Sequence, residues 1–123
     1  MTIKISQRRI KELSFECGVL SYPIWANTDR PVKSGDIAHA IKTRFFLAPD
    51  DARDPNLYMT AETHAARIAW LINHTDLKRL TITICGGRIA DGNHRFAACL
   101  YSDMEYINCV LIQNASEEQV TAA

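Results

Sequence analysis

Five consecutive polar or small residues, Asp91-Gly92-Asn93-His94-Arg95, combine the side-chain types that handle phosphates and protons. A carboxylate such as Asp91 can hold Mg²⁺ or accept a proton from a hydroxyl. The imidazole of His94 changes its protonation near neutral pH, so it can act as an acid or a base. The guanidinium of Arg95 can bind a phosphate through two parallel hydrogen bonds. The sequence therefore predicts an anion site, with Asp91 and His94 as its candidate catalytic residues and Asp91 as its candidate Mg²⁺ ligand.

The residues before this stretch predict a β-hairpin that leads into it. Apolar residues alternate with threonines from Leu80 to Cys85, which is typical of a half-buried strand. Gly86-Gly87 is a tight-turn signal, and Arg88 to Asp91 then forms the short return strand. The hairpin would place Asp91 at the end of a strand, next to the following turn.

The residues after Asp91 predict the start of a helix. Gly92 permits a sharp change of direction, Asn93 is a good N-cap, and residues 96–101 continue as the helix. Backbone N–H groups at a helix N-terminus point outward and attract anions. Four residues are therefore predicted to bind a phosphate or a nucleotide: Gly92, Asn93, His94 and Arg95. Turn geometry alone would also explain the glycine and the asparagine, and Arg95 could simply pair with Asp91; both explanations remain open.

Residues 91–98, with the sequence D-G-N-H-R-F-A-A, resemble the D-G-x-H-R-x-x-A signature of the ParB/sulfiredoxin superfamily. The likeness extends from about Ala61 to Ile112. It implies an α+β fold, a compact single domain with a small mixed sheet and flanking helices. It also implies that the loop binds phosphates of nucleotides or of phosphorylated substrates, with ATP or CTP and Mg²⁺ as the cofactors to expect.

A second stretch, His64-Ala65-Ala66-Arg67-Ile68-Ala69, is similar to the helix that precedes this signature in ParB-like domains. That resemblance implies that His64 or Arg67 lines the same pocket. The alternative is that both lie on the polar face of the helix and pair with Glu62 or Asp76.

The chain also departs from its named relatives. Sulfiredoxins carry a reactive cysteine where Asn93 stands, and an amide cannot replace a thiolate. Cys85 and Cys99 are both expected to be buried. Partition-type ParB proteins continue into DNA-binding and dimerisation domains, whereas a short segment follows Ile112 here, so centromere binding is not expected.

Two classes of function remain open: the resemblance implies the first, and the neutral net charge and small size favour the second. In the first, the protein catalyses phosphoryl transfer or cleaves phosphodiester bonds, as a nuclease, an NTPase or a kinase of a small substrate. In the second, it is a non-enzymatic interaction or inhibitor protein of plasmid, phage or bacterial origin that docks on a protein partner.

Length and composition limit the choice further. The 123 residues predict one domain over residues 1–113 and a polar tail over 114–123. The formal net charge is zero, which argues against charge-driven, unspecific binding of nucleic acid, although DNA remains a possible partner. No apolar run reaches membrane-spanning length and no secretory signal is evident, so a cytoplasmic location without a membrane partner is expected. The four cysteines form no C-x-x-C pair and the four histidines are scattered, so neither zinc nor haem is expected.

Periodicity predicts the remaining elements. The predictions are a strand over 2–6, one helical face over 7–13, a bent strand over 15–25, a helix from an Asp36 cap to Phe45, a surface loop over 48–58, a helix over 61–73 capped by Thr60, and a strand over 106–112. A strand ending at residues 45–47 is the alternative to the Asp36 helix.

Overall fold

A computed structural model of the chain describes residues 2–18, 21–48 and 57–113. Its helices and strands run in the following order: β1 (Thr2–Arg9), α1 (Ile10–Glu16), α2 (Ser34–Thr43), α3 (Ala61–His74), a 3₁₀ turn (Leu77–Arg79), β2 (Thr81–Cys85), β3 (Arg88–Asp91), α4 (Asn93–Tyr101) and β4 (Tyr106–Gln113).

The strands form one mixed sheet in the order β1-β4-β2-β3. The central strands β2 and β4 are parallel, and each outer strand is antiparallel to its neighbour. Parallel strands need a long crossover connection, which β3 and α4 supply between β2 and β4. The predicted α+β fold with a small mixed sheet and flanking helices is confirmed.

Helix α4 lies between the sheet and α3. Its Phe96 is fully buried with Ile82 of β2, in a core that α1 also joins. Ala97 and Ala98, on the other side of α4, are buried against the apolar face of α3 around Ile68. The small alanines let α4 approach α3 closely, and Phe96 packs α4 against β2. The N-terminus of α4 therefore has a fixed position relative to both α3 and β2.

The sequence predicted several of these elements correctly. Helix α3 begins after Thr60, whose hydroxyl accepts a hydrogen bond from the Thr63 N–H at 3.2 Å. The β2–β3 hairpin is present, and Gly86 and Gly87 both have positive φ, as its tight turn requires.

Other predictions were wrong. Residues 7–9 belong to β1 and not to a helix, because they pair with residues 106–108 of β4. No bent strand spans 15–25 in the described residues, since α1 continues to Glu16 and residues 21–25 are irregular. Asp36 is not an N-cap; it lies inside α2, where its Oδ2 accepts a hydrogen bond from the Lys33 N–H at 2.9 Å. The predicted loop over 48–58 and the tail over 114–123 lie mostly or wholly outside the described residues.

The sheet turns apolar side chains toward the face opposite α1 and α4. Ile3 and Ile5 of β1 pair with Ile112 and Val110 of β4, and direct cross-strand partners share a face. Ile3 and Ile5 are 59% and 81% exposed, so this face, called here the open face, is accessible to solvent at β1.

Within the three described ranges, none of the helices combines the length and the apolar character that crossing a membrane would require.

Candidate functional site

The predicted anion site, residues 91–95, forms a sharp corner between β3 and α4, called here the corner. Gly92 precedes the first helical residue with a φ of 96°, and its carbonyl accepts a hydrogen bond from the Phe96 N–H at 2.8 Å. A Cβ at this position would lie 2.8 Å from Cγ2 of Ile82. Glycine is therefore required both by the backbone conformation and by the close approach to β2.

The prediction that Asn93 caps α4 was wrong. Asn93 is the first helical residue, and the cap position belongs to Gly92, which has no side chain with which to cap. The N-terminus of α4 consequently begins without a side-chain capping hydrogen bond.

The neighbouring N-terminus of α3 is closed in a different way. Oδ1 of Asp29 accepts a hydrogen bond from the Ala61 N–H at 2.8 Å, in addition to the Thr60 cap. The hydrogen bond from Ala61 also holds the pKa of the Asp29 carboxyl below its usual value.

Arg95 is tied to the sheet beside the corner. Its Nη1 donates a hydrogen bond to the Thr81 carbonyl at 3.1 Å and lies 3.6 Å from Oδ2 of Asp91. The Asp91 and Arg95 side chains are 72% and 36% exposed, so this ion pair contributes little to stability. The ion pair between Arg95 and Asp91, which the sequence left open as an alternative to anion binding, is thus present. Because a guanidinium carries five N–H donors, the bond to Thr81 still leaves donors for an anion.

Three rings form a cluster beside the corner, called here the ring cluster: Trp25, His64 and His94. Nδ1 of His64 lies 2.9 Å from Nε2 of His94, and the two ring centroids are 5.1 Å apart at an interplanar angle of 26°. A centroid separation that large with so short a nitrogen–nitrogen distance means that the two imidazoles lie edge to edge. The Trp25 ring stacks on both of them, with centroid distances of 4.4 Å to His64 and 4.7 Å to His94.

Hydrogen bonds from Met59 and Ala61, at and just before the start of α3, hold the irregular segment that carries Trp25. The Asn27 carbonyl accepts from the Met59 N–H at 3.2 Å, and Asp29 binds Ala61 as described above. These bonds fix the segment that carries Trp25 against the beginning of α3. Sequence reasoning missed Trp25, because an irregular segment has no periodicity that would assign its side chains to a site.

The structure brings His64 to His94, with Nδ1 of His64 at 2.9 Å from Nε2 of His94. His64 is only 2% exposed, so the alternative that it lies on the polar face of the helix was wrong. Arg67 follows it on α3 and is half-buried. A role for Arg67 in a pocket stays a prediction.

A surface groove of about 290 Å³ begins at Asn93. Its walls combine apolar side chains with one exposed arginine, and they are formed by Cys17, Gly18, Tyr22, Pro23, Ile24, Arg88, Ile89 and Asn93. The groove is thus continuous with the first residue of α4, and it offers both apolar surface and a positive charge.

The thiols do not take part in the corner. All four cysteines are free, and burial raises the pKa of Cys99 to about 11, which makes it a poor nucleophile. The expectation that Cys85 is buried was wrong: it ends β2 and is exposed. Position 93 still holds an asparagine, so the corner lacks the thiolate that sulfiredoxin-type chemistry needs.

The described residues contain no group of three or more histidine, cysteine, aspartate or glutamate side chains that could hold a metal ion. Mg²⁺ commonly binds through one or two carboxylates together with the phosphates of a substrate. A single carboxylate such as that of Asp91 fits this kind of site, in which the phosphates of a bound molecule supply further ligands to the metal.

Comparison of the chain with models of protein families, with curated proteins and with solved structures found no match. The likeness to the ParB/sulfiredoxin superfamily therefore depends on the motif residues alone.

Proposed function

We propose that the protein binds a phosphate-bearing ligand of the nucleotide class at the corner. One observation carries the proposal: the N-cap residue of α4 is Gly92, which has no side chain to cap the helix, and the partly exposed guanidinium of Arg95 lies in the first turn that follows. A helix N-terminus and an arginine together supply the donors and the positive potential that a phosphate requires.

In this proposal the corner and the groove bind different parts of the ligand. The backbone N–H groups at the start of α4 and the Arg95 guanidinium bind the phosphate oxygens. The groove that starts at Asn93 receives the rest of the nucleotide, ATP or CTP, with Arg88 as a second cation. Apolar side chains of the groove, Tyr22 and Pro23 among them, suit a sugar or a base.

The same corner supports phosphoryl transfer or phosphodiester cleavage. Mg²⁺ held by Asp91 and the ligand would neutralise charge on the phosphates. His94 would donate or accept a proton at the reacting oxygen, and Arg95 would stabilise the charge that develops there. A nuclease acting on DNA, an NTPase and a kinase of a small substrate all use this chemistry. The free thiols suit the reducing cytoplasm in which we place the protein.

Calorimetry with orthophosphate, ATP and CTP tests the binding step. Arg95→Ala should weaken binding by about 1.5–3 kcal/mol, the scale of a hydrogen bond to a charged group. Arg79→Ala is the matched control, because Arg79 is a largely exposed arginine on the 3₁₀ turn. If none of the three ligands binds the wild type at millimolar concentration, the proposal is wrong.

The catalytic step is tested at Asp91. Asp91→Asn keeps the shape of the side chain but removes its charge, so turnover of a nucleotide or of DNA should fall about 10²-fold or more. Binding of phosphate without metal should hold or tighten, because a repelling charge has gone. Turnover that survives this substitution would make Asp91 a structural residue.

The open face favours the non-enzymatic function as a second candidate. It presents Ile3 and Ile5 to solvent, with the partly exposed Arg9 at its other end. A fitting partner is a different protein with an apolar surface and a carboxylate that can reach Arg9. Sedimentation equilibrium of the wild type and of Ile5→Glu tests whether the open face binds a different protein or a second copy of this chain. If the wild type is a dimer and Ile5→Glu is a monomer, the face binds a second copy of this chain and this candidate is wrong.

A further inference from the structure

The hydrogen bond between His64 and His94 restricts where their protons can be. A neutral imidazole has one nitrogen that donates and one that accepts, so a bond between two rings needs a proton on one side only. Two doubly protonated rings would place N–H against N–H at 2.9 Å. The pair therefore shares one proton between Nδ1 of His64 and Nε2 of His94.

The surroundings of the pair hold this arrangement in place. His64 is almost fully buried, so water has little access to its side of the bond. Trp25 stacks on both imidazoles, and rotation of the His94 ring away from His64 would lose the hydrogen bond and change the stacking. The orientation of His94, with Nε2 toward His64, is consequently set by its neighbours.

We propose that His64 is the positioning residue of the corner: its Nδ1–H donates to Nε2 of His94, and His94 acts through Nδ1. The direction of the bond rests on the proposed function. A phosphate oxygen at the corner needs a donor, and His94 can offer an Nδ1–H without a positive charge only when its Nε2 accepts from His64. This tautomer is the less common one for a histidine in water, so it serves as a clear signature.

Nuclear magnetic resonance of the ring nitrogens in the ¹⁵N-labelled, ligand-free protein tests the inference directly at neutral pH. In the wild type we expect a scalar coupling across the bond between the two ring nitrogens, and a His94 ring that is protonated at Nδ1. His74→Asn is the control, because His74 is the other histidine that stacks on a tryptophan, Trp70, and it lies at the far end of α3. This substitution should leave both signals unchanged.

Two variants of His64 separate positioning from simple packing. The side-chain amide of His64→Asn can take the place of the Nδ1–H donor, whereas His64→Leu fills space without a donor. We expect His64→Leu to mix the His94 tautomers and to weaken orthophosphate binding about tenfold, the scale of one net hydrogen bond. His64→Asn should restore the Nδ1–H tautomer and most of the affinity.

The outcomes distinguish this inference from the proposed function. The predicted coupling and tautomer in a protein that binds no phosphate would leave the positioning role intact and remove the function. A His94 that is protonated at Nε2, or a wild type without the coupling, would overturn the positioning role even if phosphate binds. Because the wild type alone gives these two readings, the test stands even if a variant fails to fold.

Discussion

The helices α3 and α4 pack side by side, yet their N-termini are built in opposite ways. At α3, a hydroxyl and a carboxylate from Thr60 and Asp29 accept hydrogen bonds from the backbone N–H groups. At α4, a glycine occupies the cap position and no side chain caps the helix. Side chains of the protein therefore accept hydrogen bonds from the N-terminus of α3, whereas the N-terminus of α4 has only a glycine at its cap position and lies beside the Arg95 cation.

This difference indicates which helix start can serve a ligand. An anion at α3 would meet the Asp29 carboxylate, whose negative charge would repel it. At α4 the carboxylate of Asp91 is largely exposed and is itself paired with Arg95. A glycine at the cap position is thus a particular feature of α4, since α3 in the same domain has a threonine there that caps the helix.

The largest effect should follow from giving the α4 cap a side chain. Gly92→Ala forces a Cβ into contact with Ile82 and strains a backbone with φ of 96°, so it should destabilise the fold by about 3 kcal/mol. Gly87→Ala is the control, because φ is also positive there but nothing lies within 4 Å of the added atom. That variant should cost only about 1 kcal/mol. Urea unfolding measures both, and equal losses would contradict the close packing of the corner.

A smaller effect should follow from opening the α3 cap. Thr60→Ala removes the acceptor for the Thr63 N–H and should lower the free energy of unfolding by about 1 kcal/mol. Thr60→Ser keeps the hydroxyl and should stay close to the wild type. Neither variant should change the affinity for phosphate. A loss of affinity in Thr60→Ala would mean that the two helix starts act together.

The smallest effect concerns pH. Hydrogen bonding from Ala61 lowers the pKa of Asp29, so its charged form stabilises the fold above the usual carboxylate pKa. That contribution is lost as the pH falls through the lowered pKa. The difference in unfolding free energy between the wild type and Asp29→Asn should therefore shrink toward acid pH. Asp36, whose pKa is also lowered, chiefly by its hydrogen bond with Arg30, is present in both proteins. A difference that is constant with pH would show that the charge of Asp29 does not matter.

Local sequence signals predicted the elements that depend on local contacts. Thr60 and the apolar spacing after it gave α3 almost to the residue, and Gly86-Gly87 gave the hairpin. The same signals predicted the wrong cap for α4. Asn93 is the better capping residue by type, but the short distance between Gly92 and Ile82, which no local pattern shows, fixes the cap one residue earlier.

The sequence predicted less well the features that depend on contacts between residues far apart in the chain. Residues 7–9 resemble a helix start in isolation and become a strand only because β4 pairs with them from the other end of the described chain. The motif and the helix before it did indicate His94 and His64, but not the hydrogen bond that joins them across thirty positions. Nothing in the sequence around Trp25 indicated that it would cover both rings.

The pairing of β1 with β4 also has a consequence for the order of folding. Thr2 lies opposite Gln113, so β1 can pair with β4 only after the whole stretch of chain between them has been synthesised. Helix α3, the β2–β3 hairpin and α4 are contiguous in sequence and can assemble beforehand, because closing short loops costs less entropy. We therefore expect the corner, His64 and His94 to belong to a unit that forms early, and β1, with its exposed isoleucines, to be the last strand to join the sheet.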